Sequence, residues 1–355
     1  MSWHRLDGLG ATALTEYDER FADRLLVATA AATGQPALAY PSRIAECRRC
    51  PWDTVCTAEM VASKDISLVA PGIDAVVLRA GGLFTIDDLA DSDPAYVQSL
   101  PLTALRRDEA VIRARAWQHS VSLVRRRDDV VVRRADIELD VDMESYVEDG
   151  AYLWGTLLSG SVAGMEAIAR EGFSQGYLAF ATWEMVPTPD EGRAFAQFWQ
   201  HLTALRELAA SNGLTFAAYC YSRAAEERWL KSTPVRYPDV SGMPGSASIA
   251  EFIATADWVD LYAVIGAEFL VPGSRRLKAL APIAGFHWRD PEASGENSMA
   301  WYRSAVGADG HPPDPALKDR LLQYNEDDVL ATHALRNWMS GAAGEQTPTI
   351  AQLMR

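Results

Sequence analysis

The clearest alternation of apolar and polar positions runs through Ala135–Glu144. Side chains on a strand alternate between faces. Ile137, Leu139, Val141 and Met143 therefore share one face, and Asp136, Glu138, Asp140, Asp142 and Glu144 share the other. This predicts a strand over 136–144, followed by apolar strands at 151–159 and 177–183. Downstream, the periodicity predicts a helix at 190–211, a strand at 214–221, a helix at 223–232, a strand or helix near 257–263 and a helix at 315–340. Residues 287–314 carry Asp290-Pro291, Gly295, Gly307, Gly310 and Pro312-Pro313 and read as a loop. Three strands with hairpin-length links, followed by alternating helix and strand, predict an α/β fold: a mixed sheet flanked by helices. The strong apolar alternation places 136–144 at the centre of that sheet.

The part before this sheet is helical. A helix over 16–33 shows Phe21, Leu25 and Ala28 along one side, and a Pro- and Gly-containing stretch follows. Residues 1–60 hold few strand signals and few core positions, too little for an independent domain. Within 65–94, Ser67–Ile73 reads as a short helix and turn, and Val76, Val77 and Leu78 as the next helix. Gly81-Gly82 ends it and Thr85 caps another. Helix, glycine turn and helix is a helix-hairpin-helix pattern. The expected organisation is thus 1–62, a helical unit with three cysteines; 63–100, a helix-hairpin-helix-like unit; 101–134, an arginine-rich helix or linker; 135–342, the sheet domain; and 343–355, a tail.

A chain of 355 residues, 48% hydrophobic and 23% charged, has globular composition and room for about two domains. Cys47, Cys50, Cys56 and Cys220 are too few for a disulfide scaffold. No apolar run reaches the ~18–20 residues of a transmembrane helix, and the N-terminus lacks a signal-peptide core. The expectation is a cytoplasmic protein with no membrane partner. The net charge of −15 argues against a general nucleic-acid coat. It leaves room for a nucleic-acid enzyme, because a carboxylate site is acidic until a metal binds. Between 104 and 134 the sign reverses: nine arginines stand against four acids. These read either as a solvated face or as contacts to a phosphate backbone, with Arg125, Arg126 and Arg127 the candidates.

Five carboxylates at two-residue spacing lie roughly 6–7 Å apart along a strand. On a central strand they must be protonated, paired or bound to metal. Asp142 and Glu144, last in the row, are the candidates for hard divalent cations. Tyr324 and Asp328, four apart on a helix, share a face that can meet them. Ala218–Leu230 offers a strand leading into a helix with Glu226, or alternatively Glu227, in the first turn. Each cluster also has a plain reading as a solvated acidic surface or a dipole-favoured helix acid.

Together these pieces resemble the motifs of the DnaQ-like, or DEDD, exonucleases: Asp142-Met-Glu144, a second-motif acid at Glu226 where the family usually has Asp, and Tyr324-x-x-x-Asp328. Residues 136–158, Leu277–Pro282, Gly285–Asp290, Ser298–Tyr302 and Tyr324–Val329 resemble the YprB-type, ribonuclease H-like domain of RecB-like putative nucleases. The resemblance implies a ribonuclease H-like mixed sheet and a metal-dependent nuclease. That enzyme would act as a 3′–5′ exonuclease on DNA in repair or processing. Two Mg²⁺ or Mn²⁺ ions ~3.5–4 Å apart would be held by Asp142, Glu144, Glu226 and Asp328. Tyr324 would orient the water and Lys278 would face a phosphate. Cys47-x2-Cys50-x5-Cys56 is similar to the cysteine trio closing the iron–sulfur RecB-like nuclease domain, and a [4Fe–4S] cluster would need one more ligand. Residues 1–46 hold no lysine and no nuclease motif, so the resemblance implies a chain lacking that front domain. The rival readings are a non-catalytic nucleic-acid-binding module positioning a helicase or nuclease partner, and a structural metal-cluster protein centred on the cysteines.

Overall fold

The computed structural model describes residues 11–35, 41–103, 105–308, 310 and 312–355. Residues 1–10 of the expected first domain, and 36–40 of the stretch after its helix, lie outside the described residues. The chain forms two compact units that divide between His119 and Ser120. Among the described residues no helix is long and apolar enough to cross a membrane.

The first unit is helical: α1 (Ala11–Ala32), α2 (Asp53–Ala62), α3 (Ile73–Ala80), α4 (Ile86–Ala90), α5 (Pro94–Ser99) and α6 (Ala110–Gln118). Its core holds Ile66, Leu78, Ile86, Leu89 and Val97. Gly82 ends α3 at φ +82°, a left-handed conformation that costs glycine little. Thr85 caps α4, accepting from the Asp88 amide while the Asp88 carboxylate accepts from the Thr85 amide. The expected border at 62/63 is tied across, since the Arg43 amide donates to Ser67 Oγ at 2.8 Å and the Gly72 amide to the Arg43 carbonyl at 2.9 Å. The arginine segment is also divided. Its first half forms α6, where Arg115 donates to the Ala90 carbonyl at 3.0 Å, and its second half enters the other unit.

The second unit runs β1 (Val124–Arg125), β2 (Ile137–Tyr146), β3 (Gly150–Gly160), α7 (Val162–Arg170), β4 (Gly176–Ala181), α8 (Pro189–Ser211), β5 (Phe216–Cys220) and α9 (Ala224–Arg236). It continues with α10 (Ser246–Ala254), β6 (Trp258–Asp260), α11 (Leu261–Glu268), β7 (Phe269–Leu270), α12 (Leu277–Leu280), α13 (Gly295–Ala305), α14 (Pro315–Met339), α15 (Ala343–Gln346) and α16 (Ile350–Leu353). Five strands form one sheet in the order β4-β3-β2-β5-β6; β1 and β7 form a separate ribbon. β2 pairs antiparallel with β3 and parallel with β5, so it is central, as its alternation predicts.

Both faces of β2 are covered. Ile137, Leu139 and Val141 are fully buried in a core with Phe195, Phe198 and Leu202 of α8. Burying each such side chain contributes about 1.5–3 kcal/mol before the entropy of ordering the chain. The acidic face lies under α14, whose N-terminus is set by Asp314 as cap and Pro315 in the first turn. Three differences from the sequence reading have local causes. The segment 287–314 contains α13, because Ser294 caps a helix beginning at Gly295 whose Trp301 and Tyr302 are buried against Tyr324 and Tyr152. Near 257–263, strand and helix occur in succession, with Asp260 ending β6 and capping α11. The tail folds back as α15 and α16, and the Arg125 amide donates to the Pro348 carbonyl at 2.8 Å.

Candidate metal centre

The acidic face of β2 is divided in two by what lies opposite. At one end Arg336 of α14, fully buried, donates to Glu138 Oε2 at 2.5 Å and to both oxygens of Asp140 at 3.1 and 2.8 Å. Arg134 holds Glu138 bidentately at 2.7 and 2.9 Å, and the Tyr219 hydroxyl donates to it at 3.0 Å. Burial works to raise the Glu138 carboxyl, but Arg134 and Arg336 carry it down to about 2. These two acids are neutralised by arginine and serve the fold.

At the other end stand Asp142 and Glu144, joined by Asp328 of α14, with one oxygen of each within 4.8 Å of the others. Here, among the described residues, every directly bonded donor is neutral. Asn325 Nδ2 donates to Asp142 Oδ2 at 2.8 Å, Ser298 Oγ to Glu144 Oε2 at 3.1 Å and Trp288 Nε1 to Asp328 Oδ1 at 2.7 Å. Tyr324, four residues before Asp328 and buried, also bonds the Asp328 carboxylate. Burial, then the charges of Asp328, Glu144 and Glu226, push Asp142 well above the usual carboxylate range. Burial and Asp328 raise Glu144 to about 8. Burial raises Asp328 to about 6, opposed by the Lys278 charge and the bonds from Trp288 and Tyr324. Three neighbouring carboxylates with no bonded cation cannot all ionise cheaply. An all-oxygen, triply anionic donor set fits a hard divalent cation such as Mg²⁺ or Mn²⁺.

The other residues expected at a site are distributed as follows. Glu226 sits in the first turn of α9, buried, with Oε2 lacking a hydrogen-bond partner. It lies outside the group of three, close enough that its charge raises Asp142 and Glu144. Burial raises Glu226 itself to about 8. Glu227 instead pairs with Lys231 at 2.7 Å and Arg223 at 3.3 Å. Lys278 Nζ lies 4.7 Å from the Tyr324 ring centre and 5.4 Å from that of Trp288, and donates to the Ala293 carbonyl at 2.6 Å. Of the three arginines, Arg125 is buried, with its guanidinium on the Thr347 and Asp128 carbonyls. Arg126 donates to the Gly266 and Phe269 carbonyls. Only Arg127 of these three keeps an exposed side chain, 3.6 Å from Glu268. Cys47, Cys50 and Cys56 carry free thiols that do not gather within 4.8 Å as the carboxylates do.

Sequence reasoning missed Trp288, Asn325 and Ser298 as partners of the site, although all three fall in segments singled out for their resemblance. Their neutral donors carry no charge pattern along the chain. Glu326 and Asp327 stay outside the carboxylate group, and both are held by Arg289, Asp327 at 2.7 Å and Glu326 at 2.6 Å. That grip fixes the neighbouring Trp288 beside Asp328.

Residues 184–340 match the model of the RNase H superfamily. The match spans Glu226, Lys278, Tyr324 and Asp328; Asp142 and Glu144 precede it. Comparison with curated proteins and with solved structures gave no match. The family match and the five-stranded mixed sheet flanked by helices together give the C-terminal part of the chain an RNase H-like fold.

Proposed function

We propose that this protein is a metal-dependent nuclease, a 3′–5′ exonuclease that hydrolyses phosphodiester bonds of DNA in repair or processing. The observation that carries the reading is the convergence of Asp142, Glu144 and Asp328, buried or half-buried and bonded by neutral donors. RNase H-like domains generally act on nucleic acid, and their substrates' phosphates carry the charge that such a centre handles.

Asp142, Glu144 and Asp328 would hold the first Mg²⁺ or Mn²⁺, and Glu226 would turn its unpartnered oxygen towards a second. Bound there, the metal supplies an activated water and neutralises charge building on the phosphoryl group. The chain's own residues do the rest. Tyr324, anchored on Asp328, orients the attacking water. Lys278, exposed above the Tyr324 ring, faces a phosphate of the strand. Arg127 is the arginine of its triplet with a side chain open to the backbone of a bound strand.

The cysteine segment has no step in this scheme. Three thiols are one short of the four that a cluster or structural zinc takes, and Cys50 is exposed.

The test is degradation of end-labelled single strands, DNA beside RNA, with Mg²⁺ or Mn²⁺ and with chelator. Metal-dependent shortening from the 3′ end, abolished by Asp142→Ala with Asp328→Ala, is the expected result. Unchanged degradation by that double variant overturns the assignment. Salt-sensitive binding without cleavage would favour a non-catalytic module.

A further inference from the structure

Asn325 is fully buried on α14, one residue after Tyr324. Its amide is gripped at both ends. Nδ2 donates to Asp142 Oδ2 at 2.8 Å, and Oδ1 accepts from the Tyr177 hydroxyl of β4 at 2.9 Å. The two bonds fix the sense of the amide. A hydroxyl donating to the oxygen end leaves the NH₂ end for the carboxylate; the reverse would set oxygen against oxygen. Room for this arrangement comes from Gly155, which stands directly opposite Asp142 in the β2–β3 register. A Cβ on Gly155 would fall 1.6 Å from Asn325 Oδ1, so any larger residue there expels the amide. Residues on three elements, α14, β4 and β3, thus converge to hold one oxygen of one carboxylate on β2.

A neutral donor at that place keeps the Asp142 charge available while removing its rotational freedom. An arginine, as used on Asp140, would orient the carboxylate but cancel its charge. We propose that Asn325, oriented by Tyr177 and admitted by Gly155, is a positioning residue that presets Asp142 for a divalent cation. This rests on the reading of Asp142 as a metal ligand. Partners that orient metal-binding side chains typically set metal affinity by about 10–100-fold.

The test measures Mn²⁺ binding by the full chain without nucleic acid, by electron paramagnetic resonance of free Mn²⁺ and by calorimetry, alongside Tm. Wild type against Asp142→Ala tests the underlying reading; equal Mn²⁺ affinity in the two overturns it, and the positioning role with it. Given binding that depends on Asp142, Asn325→Ala is expected to weaken Mn²⁺ by about tenfold or more. Tyr177→Phe gives a smaller loss in the same direction. Gly155→Ala should lower both Tm and Mn²⁺ affinity. Combining it with Asn325→Ala relieves the clash and refills the space, so Tm recovers while Mn²⁺ affinity stays low. Wild-type affinity in Asn325→Ala, or affinity recovering together with Tm in the double variant, would show that the amide only fills volume and would overturn the proposal.

Discussion

Arg336 and Asp140 meet in complete burial, with guanidinium nitrogens at 3.1 and 2.8 Å from the two carboxylate oxygens. Two residues further along the same face, Asp142 meets an amide instead. This change of partner marks where β2 stops supporting the fold and starts presenting charge. It makes Arg336 a stability residue. Arg336→Met should cost about 3–5 kcal/mol, because it strands Asp140 as a buried acid without its arginine and leaves Glu138 with Arg134 alone. Arg336→Lys should recover little, since an ammonium cannot span both carboxylates as the planar fork does. Chemical denaturation in chelator measures both; a loss below about 1 kcal/mol for Arg336→Met would contradict the assignment.

The buried carboxylate group should make the metal-free protein less stable as pH rises. Glu144 lies at about 8 and Asp328 at about 6 in the folded chain, above the ordinary 4.5 and 3.8. Between the unfolded and folded values the native state holds protons that the unfolded state has lost. Unfolding free energy therefore falls as pH climbs from about 4 to about 8. Glu144→Gln removes its share of that slope, so wild type should lose stability relative to the variant across this range in chelator. Saturating Mn²⁺ should flatten the difference. A wild type that gains on the variant as pH rises would reverse the sign and refute the account.

Trp288 offers a test free of large charge changes. Trp288→Phe keeps an aromatic ring beside Lys278 but deletes the indole N–H that Asp328 accepts at 2.7 Å. Activity should fall about 10–100-fold with a small change in Tm. Metal titrations of activity read the effect, which should move the half-saturating metal concentration upward. Unaltered metal dependence would mean that the bond is incidental.

The arginine triplet separates into two outcomes. Arg125→Gln should lower stability by about 1–3 kcal/mol, since its buried guanidinium ties the 124–128 segment to the Thr347 carbonyl, while nucleic-acid affinity at fixed salt stays unchanged. Arg127→Gln and Lys278→Gln should leave stability within about 0.5 kcal/mol. Each should weaken binding of a single strand and reduce the salt slope by about 1. Fluorescence anisotropy across a salt series distinguishes them. Weakened binding by Arg125→Gln in a fully folded protein would reverse the roles.

Much of this architecture is legible in periodicity. The β2 alternation, the long helices α8 and α14 and the Thr85 cap are local signals, written within a few residues of where they act. Asp142 and Glu144 stand out as an Asp-x-Glu pair on a central strand and Asp328 as the acid of the Tyr324-x-x-x-Asp328 spacing, and the fold brings one oxygen of each within 4.8 Å of the others. The helix inside 287–314 was not legible, because its Ser294 cap and Gly295 start look like loop punctuation until Trp301 and Tyr302 find their aromatic partners.

By itself the sequence determined the α/β class, the central acidic strand and the carboxylates that the fold brings together. The Asp142-x-Glu144 spacing pointed to the pair that is kept, but periodicity alone could not tell which acids on that strand would be cancelled by arginine. That depended on α14 lying along β2 so that Arg336 reached Glu138 and Asp140 while Asn325 reached Asp142. It could not tell that Arg125 would turn inward to a carbonyl 222 residues away while Arg127 stayed outside. The reason is the same in each case. Side-chain type and local period act over a few residues, whereas the partner of a buried charge is chosen by which distant element the packing of apolar faces carries opposite it.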